Sequence, residues 1–288
     1  MTKATDKMLN SPVKWAGGKS RLRKHIIPIF PDDYTCYVEP FGGGGWVLFG
    51  KKPSQVEIYN DIDGELVNFF RVVQEQPDEL IKSFEWELIS REKFETLATA
   101  DLSEMTPVQR AHRLYYILMA GWGGELNYPR LQTSITDGGG GNRLIGAMKT
   151  LEKRIRPIHD RLRSVIIENM DWEALVDRYD SPTTLFYIDP PYPGNGVNYK
   201  HNLRNWDDHR RLAARLNRTQ GRWILSSYDK PEVRELYGLH HHIIQITSAS
   251  GMADSKGGTG RVTNKEILVC NYVPDVPVKA SKEGLLLV

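Results

Sequence analysis

The stretch "CYVEPFGGGGWVLFG", residues 36–50, constrains this chain more than any other. It reads as a short apolar strand, a glycine turn and the apolar start of a helix. Glycine lets the backbone come close to a ligand and opens a helix whose N-terminus favours anionic groups. "SQVEIYNDID" follows as a second short strand closing on acids, and "GELVNFFRVVQ" then shows helical spacing. Much further on, "TTLFYIDPPY" is an apolar strand stopped by two prolines. "WDDHRRLAARLN" is an amphipathic helix with Asp207 as its expected cap. "RWILSSY", "HHIIQIT" and "KEILVCNYV" read as further strands. Strand and helix signals alternate at both ends of the chain, which points to an α/β sheet. Residues from about 70 to 165 break the alternation. They hold helical stretches such as "RAHRLYYILMAGW", a glycine run at 138–141 and a basic run, and they read as a mostly helical insertion.

The 288 residues suffice for one large domain or for a domain with an insertion. Cys36 and Cys270 lie far apart and suggest neither a disulfide framework nor a zinc cluster. The run from His240 to His242 sits in a strand-like stretch and alternates faces, so no metal site is expected there. The polar N-terminus carries no apolar signal core, and no run approaches a membrane span. A cytoplasmic protein without a membrane partner is the expectation. A net charge of +2 means that any polyanion must be met by a local patch.

"KWAGGKS", from Lys14, ends like a phosphate-binding loop, but Val13 stands where that loop needs its first glycine. The dinucleotide fingerprint G-x-G-x-x-G fails as well, at Leu48. A tight strand-to-helix turn is therefore as good a reading of the glycines as a ligand site. Asp61 and Asp63 close the second strand, where an acid often accepts from ribose hydroxyls, and Asp63 is better read as a helix cap. In "DPPY", Asp189 to Tyr192, two prolines fix φ and remove two backbone donors. What remains is a carboxylate, outward carbonyls and an aromatic face, which suit a planar base bearing an exocyclic amino group.

"KWAGGKSRL", "EPFGGGG", "NDID" and "DPPY", in this order, resemble the Dam-type (class alpha) DNA adenine-N6 methyltransferases; "SSYDKPEVRELY" and "KEILVCNY" resemble that family's looser, later motifs. The likeness covers roughly residues 11–68 and 165–273. It implies a Rossmann-like S-adenosylmethionine-dependent methyltransferase sheet with an inserted, mostly helical target recognition domain. The catalytic domain would comprise residues 1–69 and 166–288, and the insertion residues 70–165. It further implies S-adenosylmethionine as cofactor, with Trp15, Lys19, Phe41, Gly43, Gly45, Asp61 and Asp189 at its site. Double-stranded DNA would be the partner, in a bacterial or phage-infected cell. Asp189, Pro190, Pro191 and Tyr192 would carry catalysis. The Asp189 carboxylate and Pro190 carbonyl would accept the amino hydrogens of an adenine flipped out of the duplex, with Tyr192 as its stacking face. No metal is required.

Two stretches are candidates for DNA contact. The basic run from Arg143 to Arg163 includes Lys153, Arg154, Arg156 and Arg161 and suits phosphates, although a solvated helix face explains each residue equally well. "NYKHNLRNW", with Tyr199, could close over the flipped base. Members that read GATC carry a run like "YNLRGEFNVPFG"; here "AGWGGELNYPRLQTSITDGGGGN" agrees only in fragments. Asn127 and Arg130 within it are the candidates for base-edge contacts. Two other readings stay open: an RNA or protein amino-methyltransferase, and a DNA-binding module without catalysis.

Overall fold

Eight strands form one mixed sheet in the computed structural model, which describes residues 8–121, 126, 129–132, 143–192, 203, 205–238, 241–249, 263–274 and 285–287. In chain order they are β1 (Cys36–Glu39), β2 (Val56–Asn60), β3 (Val165–Glu168), β4 (Thr184–Ile188), β5 (Arg222–Tyr228), β6 (His242–Ala249), β7 (Thr263–Cys270) and β8 (Leu285–Leu287). Across the sheet the order is β3-β2-β1-β4-β5-β7-β6-β8. The first five pair in parallel, and β7 runs antiparallel between β5 and β6. The sheet is thus α/β, as the alternation suggested. β3 and β8 are the strands that the sequence did not announce: β3 has four residues starting just two residues after a helix, and β8 has three.

Side chains alternate between two apolar layers with the period of a strand. Tyr37, Tyr59, Leu185, Tyr187 and Ile224 enter one core, while Val38, Ile58, Phe186, Ile188 and Trp223 enter the other. Covering the first layer are α1 (Arg23–Ile26), α2 (Trp46–Gly50), α3 (Gly64–Glu75), α4 (Pro77–Lys82), α5 (Arg91–Thr99), α6 (Pro107–Ala120), α7 (Arg143–Lys149) and α8 (Leu151–Leu162). The second is covered by α9 (Trp172–Tyr179), α10 (Trp206–Leu216) and α11 (Pro231–Tyr237). Among the described residues no helix is long and apolar enough to cross a membrane.

Local chemistry explains where these helices begin. Asp63 caps α3, accepting from the amides of Glu65 and Leu66, as the sequence favoured. Thr106 and Gln109 close a reciprocal capping box on α6, with Pro107 at its first position. The cap of α10 is a correction. It is Asn205, whose side chain accepts from the Asp208 amide at 2.9 Å. The helix starts at Trp206, so Asp207 already lies in the first turn, where its charge favours the helix N-terminus and pairs with Arg210 at 2.5 Å.

The helices of residues 70–165 share a core with the sheet. Leu80, Phe94, Leu114, Ile155 and Leu162 pack into the same cluster as Tyr59 and Leu185. Residue 70 lies within α3 and Val165 opens β3. A buried ion triad also ties α8 to β2. Glu57 accepts from Lys51 and Arg161, and the three side chains are 1%, 1% and 7% exposed. Arg161 reaches on to the Leu48 carbonyl at 3.1 Å.

Candidate active site

β1 and β4 are parallel neighbours, and the chain leaves them in opposite directions across the sheet, to β2 from one and to β5 from the other. The loops at their carboxyl ends must diverge, which opens a crevice there. A cleft of about 690 Å³ occupies that place. Trp15, Lys19, Phe41, Gly43, Asp61, Asp189, Pro190, Pro191 and Tyr192, expected from sequence, all line it.

The glycine turn follows β1. Gly43 takes φ +50°, where an L side chain is strained, and both of its backbone groups are held. Its N–H donates to Asp61 Oδ2 at 2.8 Å, and its carbonyl accepts from the Tyr59 hydroxyl at 2.7 Å. Trp15 packs over it, so close that a Cβ there would lie 3.1 Å from Trp15 Cδ1. Gly45 does not line the cleft; at φ +67° it is the N-cap of α2. Phe41 stacks on Trp172 of α9, ring centroids 6.3 Å apart.

Asp61, at the end of β2, also accepts from the Asp63 amide at 2.9 Å, through Oδ1. Burial pushes its carboxyl up to about 6, against the pull of those two amides. Asn60, fully buried beside it, donates to the Pro40 carbonyl at 2.9 Å and accepts from the Met170 amide at 2.9 Å. This side chain therefore brings the segment after β3, with Asp171 and Trp172, to the same rim.

Asp189 extends β4 into the cleft. Lys19 Nζ lies 2.8 Å from its Oδ1 and donates to the Gly17 carbonyl at 2.8 Å. The Tyr192 hydroxyl reaches the same Oδ1 at 3.2 Å. The Tyr192 ring is 8% exposed, has Lys19 Nζ 5.1 Å from its centroid, and lies T-shaped to the Tyr228 ring with centroids 4.6 Å apart. His209 of α10, buried, bonds through Nε2 to the Pro191 carbonyl at 3.1 Å. Burial lowers the His209 pKa, and because a carbonyl only accepts, Nε2 carries the N–H that donates there. The turn is thus braced from both sides.

Some lining residues were not read from the sequence. Glu39, 2% exposed, accepts from the Tyr37 hydroxyl at 2.6 Å, and burial pushes its carboxyl up to about 8. A carboxylate at a strand end, before a glycine turn, was the available signal. Trp172 was missed with β3, and Tyr228 gave no signal beyond its strand.

The described DNA-contact candidates do not line this cleft. Arg130, Lys153, Arg154 and Arg156 are exposed and none of them lines it. Arg156 is paired with Asp78 at 2.7 Å and Glu152 at 3.0 Å, whereas Arg154 bonds the Thr150 hydroxyl at 3.0 Å. Asn127, Tyr199 and the side chain of Arg143 lie outside the described residues.

The sequence matches the model of the D12 class N6 adenine-specific DNA methyltransferases over residues 15–252. It is 29% identical over 280 residues to the Type II methyltransferase M1.LlaDCHI of Lactococcus lactis subsp. cremoris, covering 90% of this chain and 94% of that one. It is 24% identical to the Type II methyltransferase M.CviBI of Paramecium bursaria Chlorella virus NC1A, covering 80% of this chain and 87% of that protein. It is 25% identical to the DNA adenine methylase of Haemophilus influenzae, covering 78% and 82%. A family match spanning most of the chain, with its glycine turn and DPPY motif meeting in one cleft, places the chain among the D12 class N6 adenine-specific DNA methyltransferases.

Proposed function

We propose that the enzyme transfers the methyl group of S-adenosylmethionine to the N6 amino group of an adenine flipped out of double-stranded DNA. The observation that carries this reading is the meeting of the glycine turn, Asp61 and Asp189 at the switch point of the sheet. The cleft also fits the cofactor chemically. Six acidic residues besides the protonated Glu39, and two cationic ones, Lys19 and Arg211, line it. An acid-rich wall favours a sulfonium and an ammonium group. The Phe41 and Trp172 rings offer flat apolar faces beside Asp61.

Bound there, S-adenosylmethionine supplies a methyl group on a sulfonium, open to attack by a nitrogen lone pair. Asp61 suits the ribose hydroxyls: each of its oxygens already accepts one amide and keeps a further lone pair. Lys19, with Trp15, suits the methionine end. The amino lone pair of adenine is delocalised into its ring. Asp189 and the Pro190 carbonyl would accept the two amino hydrogens and free that lone pair to take up the methyl group. As the carbon–nitrogen bond forms the methyl–sulfur bond would break, S-adenosylhomocysteine would leave, and the nitrogen would release one proton. His209 engages the neighbouring carbonyl, of Pro191, and so leaves this geometry to Pro190. An adenine inside a duplex cannot reach Asp189, so it must be extruded to pack against Tyr192 and Tyr228.

In the same reading, residues 70–165 select the target. Arg130 and Asn127 are assigned to base edges; Arg143, Lys153, Arg154 and Arg156 to phosphates; Tyr199 to the loop over the flipped base. Tritiated methyl transfer to duplex DNA, single-stranded DNA and RNA tests the substrate. Equal labelling of RNA would remove the DNA duplex from the reading. A duplex with 2-aminopurine at the target position should brighten on binding, and an unchanged signal with active enzyme would remove base flipping.

A further inference from the structure

β4 and β5 are parallel neighbours with Ile188 opposite Leu225. Both of those residues enter the second core layer, so Tyr187 and Asp189 on one strand and Ser226 on the other point to the opposite face. Ser226, 1% exposed, lies there with its Oγ 2.8 Å from Asp189 Oδ1 and 3.1 Å from the Tyr187 hydroxyl. A serine hydroxyl has one hydrogen, and an ionised carboxylate can only accept. Ser226 therefore donates to Asp189 and accepts from Tyr187. Burial holds the Tyr187 phenol well above the usual tyrosine range, so it remains a donor.

Lys19 and Tyr192 end on the same Oδ1. Among the described residues none hydrogen-bonds to Oδ2. We propose that Ser226, backed by Tyr187, is a positioning residue that sets the plane of the Asp189 carboxylate and presents Oδ2 to the amino group of the target adenine. The inference rests on the reading of Asp189 as the amino acceptor. The last torsion of an aspartate is broad and roughly two-fold, so the backbone alone does not orient its oxygens. Lys19 is a point charge on a flexible stem and does not choose a plane. A hydroxyl fixed in a β-strand and itself held by a buried phenol does. An acceptor already in place need not reorganise when the reaction begins.

The test uses the full chain and single-turnover methyl transfer to a duplex at saturating S-adenosylmethionine. Ser226→Ala should slow the step at least about tenfold, the scale on which small misplacements act, with dissociation constants for cofactor and DNA within about threefold of wild type. Tyr187→Phe should slow it less. The double variant should be no slower than Ser226→Ala alone, because Tyr187 acts through Ser226. Asp189→Ala is measured alongside. If it stays active, the reading of Asp189 fails and this inference falls with it. If Asp189→Ala is inactive while Ser226→Ala transfers at the wild-type rate, or the Ser226 and Tyr187 effects multiply, only the positioning role is overturned.

Discussion

Lys19 Nζ and Asp189 Oδ1 stand 2.8 Å apart, joining the N-terminal turn to the end of β4 across the cleft. Both side chains are largely withdrawn from water, at 8% and 18% exposure. Asp189→Ala removes the acceptor that defines the site. Turnover should fall by about 10²–10³-fold, as for other preorganised polar groups, in a protein that still melts cooperatively. Lys19→Met, close in shape but uncharged, should slow turnover and weaken cofactor binding together. Steady-state kinetics paired with calorimetry separates the two effects. Near-normal turnover in a folded Asp189→Ala protein would defeat the assignment.

Asp61 has two tasks in this structure, and its substitutions should separate them. Its carboxylate holds the Gly43 and Asp63 amides and lines the cleft. Asp61→Ala should weaken S-adenosylmethionine binding by about 1.5–3 kcal/mol, the range for hydrogen bonds to a charged group. Asp61→Asn keeps one carbonyl acceptor for the glycine turn and should lose less. Calorimetric affinities equal to wild type in both variants would count decisively against a cofactor role.

Glu39 makes a prediction about pH. Its folded pKa is raised to about 8 by burial, while an unfolded glutamate titrates near about 4.3. Between these values the folded state holds a proton that the unfolded state has lost, so stability falls as pH rises. Glu39→Gln keeps an acceptor for the Tyr37 hydroxyl and removes the titration. The stability of wild type relative to Glu39→Gln should decline from pH 5 to pH 8, by on the order of a few kcal/mol, and flatten above it. Urea melts across that window measure it. A flat difference would mean that Glu39 ionises normally in the fold.

Much of this fold was legible because its signals are local. The glycine turn, the capping aspartate Asp63 and the period-two strands each announce themselves within ten residues. β3 did not, since four residues after a helix show no period of their own. The site divided along the same line. Asp61 and Asp189 stand at strand ends within quoted motifs, but Ser226 reads as an ordinary polar residue in a strand. Only the register of Ile188 against Leu225 brings it to Asp189. Asp207 is a good capping residue type; Asn205, two residues earlier, is as good and has the extended backbone that a cap needs. Arg154 and Arg161 are two helical turns apart and share a face of α8. What distinguishes them is Glu57, far off in sequence, which lies against one and not the other.

That difference divides the basic run into residues with separate duties. Arg161 completes the buried triad with Glu57 and Lys51, so Arg161→Ala leaves Glu57 with Lys51 alone, strips the buried pair of its bidentate partner and its bond to the Leu48 carbonyl, and should cost up to about 3 kcal/mol in urea unfolding. Arg156 already faces Asp78 and Glu152 on the surface, at 2.7 and 3.0 Å. Exposed pairs of this kind contribute about 0–1 kcal/mol, so Arg156→Ala should change stability little, and DNA affinity less than its neighbours do. Lys153 and Arg154 are exposed, and no carboxylate pairs with either among the described residues. If this face meets phosphates, Lys153→Ala and Arg154→Ala should weaken binding to every duplex alike. Each should also flatten the log–log salt dependence by up to about 0.9 per lost contact. Fluorescence anisotropy from 50 to 200 mM salt, on a target duplex and on an unrelated one, reads both quantities. An unchanged slope in the double variant would return Lys153 and Arg154 to the solvated face of α8. A loss confined to the target duplex would instead assign them to sequence readout, because phosphate contacts carry no sequence information.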